Sequence, residues 1–176
     1  MKNISENESG LRKLLEDQLK DIYWAEKAII KAMPEMVDKV ESQELADVLN
    51  EHQEQTIQQV TRLENVFEIL DMKAQGEKCE AMEGLLEEAD DIVGDLDEGP
   101  VRDAGIIAAV QKIEHYEIAS YGTLRTFANT LGEYEAGSLL EETLDEEKEA
   151  DLKLTDIAES IINIEAASEG GERNIH

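Results

Sequence analysis

Cysteine is almost missing from this chain: Cys79 is the only one in 176 residues. That excludes an intrachain disulfide and any multi-cysteine zinc or iron-sulfur motif, and it suits a reducing, cytoplasmic setting. Proline occurs twice, and Phe, Trp and Tyr together make up 4% of the residues. So few aromatics disfavour a β-sandwich and leave an all-α fold as the expectation. Basic residues are scarce too, 16 Lys and Arg against 43 Asp and Glu, for a formal net charge of -27. A field of that sign repels nucleic acid and anionic membranes, so neither is expected as a partner. It also implies strong surface hydration and fits a salt-rich habitat in which counter-ions screen the self-repulsion. Long apolar runs are lacking as well. "MKNISENESG" carries no signal core, and no segment reaches the length needed to cross a bilayer.

What the chain does contain is helical periodicity. Leu11, Leu15, Leu19, Ile22, Ile29, Met33, Val37 and Val40 advance by three or four residues, which predicts a first helix from Ser9 to Glu41 with Pro34 as a kink. Ser42 reads as the N-cap of a second, whose stripe includes Leu45, Val48, Leu49, Leu63, Val66, Phe67 and Leu70. The short join predicts a hairpin. From Asp71 to Pro100 the pattern weakens into a long crossover, where "CEAMEGLLEEADDIV" predicts a short extra helix. The acid run that follows lacks the order of an EF-hand and reads as a solvated face. A third long helix starts near Pro100 and ends before Gly132, and a fourth covers Glu133 to Ile162. Residues 1–9 are expected to be flexible and 163–176 a polar, disordered tail, leaving one domain over 10–162. Two hairpins with one long connection predict a ferritin-like up-down four-helix bundle.

Each apolar stripe is interrupted by polar or ionisable residues. Helix one passes through Glu26; helix two through His52, Gln55, Thr56 and Gln59; helix three, in "IEHYEIASYG", through Glu114 and Glu117; helix four through Glu146 and Glu147. Residues three apart on a helix share a face with Cβ atoms about 5 to 6 Å apart, so Glu114 and Glu117 point into one space. A buried carboxylate must be protonated, paired with a cation or bound to metal. Arg62, Arg125 and Lys148 are too few to neutralise the set, whereas a pair of divalent cations balances it. Carboxylates with one neutral imidazole suit iron or manganese; one histidine without thiolates suits zinc poorly. His115 is offset from the acid stripe and reads as structural or interfacial. No role is assigned to His176.

The stretches "LRKLLEDQLKDIYWAEKAI", "KCEAMEGLLEEA", "VRDAGIIAAVQKIEHYEIASYGTL" and "LLEETLDEEKEADLKLTDIA" resemble the YciF/YciE stress-protein family of ferritin-like, rubrerythrin-related proteins, over residues 10 to 160. The resemblance implies a dinuclear metal site, a homodimer and a place in stress responses. By position, it assigns Glu26, His52, Glu114, Glu117 and Glu146 as metal ligands, with Glu147 beside Glu146. The family's second helix usually reads His-x-x-Glu-Thr, and this chain has Gln55 at the glutamate. An amide is the weaker ligand, and adjacent Glu54 is rotated off the inward face. The expected function is an iron- or manganese-binding protein of oxidative or general stress that reacts with oxygen or peroxide. The alternative is a non-catalytic dimeric stress or interaction module with a degenerate site.

Overall fold

The computed structural model describes residues 4–172, and among these it contains helices and no strand. Helix α1 spans Ile4–Val37, α2 Gln43–Ile69, α3 Glu80–Asp95, α4 Pro100–Thr130 and α5 Tyr134–Ile157; a π-helical turn over Ala158–Ile162 leads into α6, Asn163–Glu172.

Local chemistry sets these boundaries. Helix α1 runs through Pro34 and ends at Val37, short of the expected Glu41. There the last turns tighten, with Lys39 N–H donating to Met36 O and Val40 N–H to Val37 O. The next two amides, of Glu41 and Ser42, donate to the buried Asp103 carboxylate at 3.0 and 2.8 Å, so they are committed to α4 and not to another helical turn. Ser42 caps α2 as expected, its hydroxyl accepting from Leu45 N–H. Helix α4 opens on Pro100 after Gly99, whose φ of 143° favours glycine. The extra helix in the crossover is α3, capped by the Cys79 sulfur.

The chain after Ile162 differs from the sequence expectation. Helix continues to Glu172, because the stripe extends through buried Ala158 and Ile162 and α6 packs on α4. Residues 1–3 and 173–176, and with them His176 and the outer ends of the two expected flexible segments, lie outside the described residues.

Contacts between α1 and α2, α2 and α5, α5 and α4, and α4 and α1 close the long helices around one core. Their directions follow from paired bonds. Tyr23 meets Glu64 while Gln53 meets Ile30, so α1 and α2 are antiparallel. Gln111 with Asp151 and Arg125 with Glu141 make α4 and α5 antiparallel; Glu51 with Lys153 and Glu142 with Arg62 do the same for α2 and α5. Helix α3 lies over α4 and α1. Leu15, Leu19, Ile22, Ile29, Leu45, Leu49, Leu63, Val110, Ile113 and Leu124 fill the interior at 0–1% exposure. Each such side chain stabilises the fold by about 1.5–3 kcal/mol relative to an exposed one.

Asp103→Ala is expected to destabilise the protein by about 2–4 kcal/mol, because two part-buried backbone amides lose a charged acceptor. Urea unfolding of the variant beside wild type measures it, and Asp103→Asn, which keeps one acceptor oxygen, should lose less.

Candidate metal centre

Halfway along the core the apolar packing gives way to acids. Glu26 from α1, His52 from α2, Glu114 and Glu117 from α4 and Glu147 from α5 are all buried, at 0–3% exposure. His52, Glu114, Glu117 and Glu147 each offer one ligand atom, and these atoms lie within 4.8 Å of one another. The His52 Nε2 and Glu114 Oε1 atoms approach to 3.1 Å without hydrogen-bond alignment, as two ligand atoms facing a common point would. Glu26 stands beside this set, accepting from the Tyr121 hydroxyl and facing the charge of Glu147.

Both oxygens of Glu114, both of Glu117, one each of Glu26 and Glu147 and both ring nitrogens of His52 are buried without a hydrogen-bond partner. So many unmet acceptors together are costly in an apolar core and invite a cation. Burial first, and then the charge on Glu147, raises the Glu26 carboxyl to about 8 and pushes Glu114 and Glu117 well above the usual carboxylate range. Burial lowers the His52 pKa, so the imidazole is neutral and free to ligate at physiological pH. A set of carboxylates with one neutral imidazole fits a hard or borderline divalent ion such as iron or manganese, because the ion supplies the positive charge the pocket lacks.

On α5 the inward acid is Glu147. Glu146, the residue assigned from the sequence, turns to the α2 seam, where its oxygens take bonds from Arg62 at 2.8 and 2.9 Å and from Gln59 at 3.1 Å. One residue advances a helix by about 100°, and the buried positions Thr143, Glu147, Ala150 and Leu154 leave Glu146 on the flank. Burial pushes the Glu146 carboxyl up, and the Arg62 and Gln59 bonds more than offset it, holding it below its ordinary value.

Helix α2 rearranges the expected roles in the same way. Its inward positions after His52 are Thr56 and Gln59, both at 0% exposure; Gln55 is half-buried on the flank and Glu54 is exposed. Glu54 is not part of the converging set, and the half-buried Gln55 lies one position before the inward Thr56. Gln59 donates to Glu147 Oε1 and to Glu146, and so orients the inward acid. Its polar side chain on the core stripe was the available signal. Tyr121 gave none beyond an aromatic at a core position. Exposed His115 stays outside the centre, with Nε2 3.3 Å from Asp151 Oδ2.

Residues 10–167 match the family described as Domain of unknown function (DUF892). The chain belongs to that family. Protein YciF of Escherichia coli K12 is 45% identical over 149 residues, covering 84% of this chain and 90% of that protein. The crystal structure described as the E. coli stress protein YciF superposes with a TM-score of 0.83 at 41% identity, over 93% of this chain and 99% of that one. A Rhodopseudomonas palustris protein, YcfI, gives a TM-score of 0.81 at 42% identity, over 82% and 92% of the two chains. The resemblance read from the sequence therefore holds for the DUF892 fold along most of its length. Among the described residues no helix is long and apolar enough to cross a membrane.

Proposed function

We propose that this DUF892 protein is a ferritin-like four-helix bundle that holds a dinuclear iron or manganese centre and reacts with oxygen or peroxide in a cytoplasmic stress response, as a homodimer. The observation that carries the reading is the convergence of His52, Glu114, Glu117 and Glu147 as buried groups without partners. The stress context is supported by the description of YciF.

His52, Glu114, Glu117 and Glu147 would hold one ion, and Glu26 with the carboxylates it faces would hold the second. Bound metal supplies the electrons and the open coordination position that oxidant chemistry requires. The protein's own part is to exclude bulk water, to orient Glu147 through Gln59, and to keep the Tyr121 hydroxyl on Glu26. Protons held by Glu26, Glu114 and Glu117 before loading leave when those carboxylates become ligands.

A second reading, a metal-free module with a degenerate site, is favoured by the same raised pKa values, since protonated acids are neutral and can sit in the core. Oxygen uptake separates the two. Protein loaded anaerobically with Fe(II) should consume oxygen faster than the same Fe(II) in buffer, and Glu117→Gln should remove the excess. Equal consumption by wild type, variant and free Fe(II) favours the degenerate module.

A further inference from the structure

Every ligand of the centre is buried, so an ion must cross one of the seams between helices. The polar groups along the α2–α5 seam grade continuously from solvent to the centre. Side-chain exposure falls from 58% at Glu142 to 26% at Glu146 and 12% at Arg62, and Gln59 and Glu147 are at 0%. Successive groups are bonded to one another. Arg62 donates through Nη2 to Glu142 at 2.9 Å and through both terminal nitrogens to Glu146, while Gln59 Nε2 donates to Glu146 and Glu147. At the inner end Gln59 Oε1 and Glu147 Oε2 are buried without partners. Across the α1–α4 side, by contrast, the centre is backed by Tyr121 at 0% exposure, hydrogen-bonded to Glu26.

We propose that divalent cations reach the centre through the α2–α5 seam by way of Glu142, Glu146, Gln59 and Glu147, and that Arg62 is the latch that holds this route shut. This rests on the metal-binding reading above. The exchange is one cation for another. An incoming dication takes the Glu146 carboxylate from Arg62, which keeps its bond to the more exposed Glu142. The unpartnered Gln59 oxygen offers the next ligand, and Glu147 receives the ion into the buried set. While closed, the guanidinium repels cations at the mouth and its bidentate grip on Glu146 denies them a first carboxylate. The α4–α5 seam, where Asp151 accepts from Gln111 and faces Glu114, is the competing path.

Co(II) uptake by chelator-stripped full-length protein, followed by stopped-flow absorbance, tests the route. Removing the latch charge in Arg62→Gln should speed uptake about tenfold at low salt with an unchanged endpoint. Arg62→Lys keeps the charge and should stay within about threefold of wild type, whereas mere loosening of the seam would speed both variants alike. Glu146→Gln should slow uptake and Asp151→Asn should leave it unchanged. Wild-type rates in Arg62→Gln, equal acceleration in both Arg62 variants, or slowing by Asp151→Asn to match Glu146→Gln would each overturn the route. If equilibrium dialysis shows no Co(II) bound by wild type, the metal reading fails and the route with it; altered rates at a normal endpoint concern the route alone.

Discussion

Metal-free protein should lose stability as pH rises, against the habit of most folds at neutral pH. The Glu26 carboxyl sits at about 8 in the fold against 4.5 for an ordinary glutamate, through burial and then the charge of Glu147. The folded chain therefore holds a proton that the unfolded chain has already released. The Glu26 contribution is fully present below about 4.5 and is lost as pH climbs toward about 8, by an amount on the order of 4 kcal/mol for Glu26 alone. Glu114 and Glu117 are shifted in the same direction and add to the slope. His52, lowered by burial, acts oppositely, since it costs stability where the unfolded imidazole charges, below 6.5.

The informative window is therefore pH 6.5 to 8, where surface acids are ionised in both states. Urea midpoints in chelator at fixed salt should fall across it. Glu26→Gln, which cannot titrate and still accepts from Tyr121, should flatten the fall. Added Mn(II) should reverse it, because ligation needs the carboxylates deprotonated. A midpoint that climbs with pH in chelator, or an equal slope in Glu26→Gln, contradicts the account of the buried acids.

How far the sequence discloses this arrangement depends on the residue. Helices α1 to α5 are readable because their apolar stripes recur every three or four residues, and the α3 insertion is readable from Met82 and its neighbours. The acid pair of α4 is readable because Ile113 and Tyr121 frame it on a buried face. Glu147 was legible in principle, since Thr143, Ala150 and Leu154 fix the face, but two adjacent glutamates make the choice a matter of about 100° of rotation. Asp103 was not legible, because an acid in the first turn of a helix usually answers the helix dipole at the surface. Its partners, Glu41 and Ser42, come from a loop about 60 residues earlier. Arg62 illustrates the same limit: its place beside Glu146 depends on how α2 and α5 register, which no local pattern encodes. Helix α6 is not readable locally, because the composition after Ile162 favours a tail while packing on α4 favours helix.

The second large effect concerns the ligands themselves. Glu117 has both oxygens buried and unpartnered, and Glu147 is held inward by Gln59, so removing either takes a negative ligand from a closed set. Glu147→Ala should weaken metal affinity at least about 100-fold, more than the 10- to 100-fold typical of outer-shell partners. Glu146→Ala should leave equilibrium affinity within about threefold, since that side chain serves Arg62 at the seam. The direct measurement is the metal content of protein purified without chelator, by inductively coupled plasma mass spectrometry, for wild type beside Glu117→Ala. Wild-type protein should carry about one to two iron or manganese ions per chain and the variant almost none. Equal, substoichiometric metal in both would contradict the metal reading.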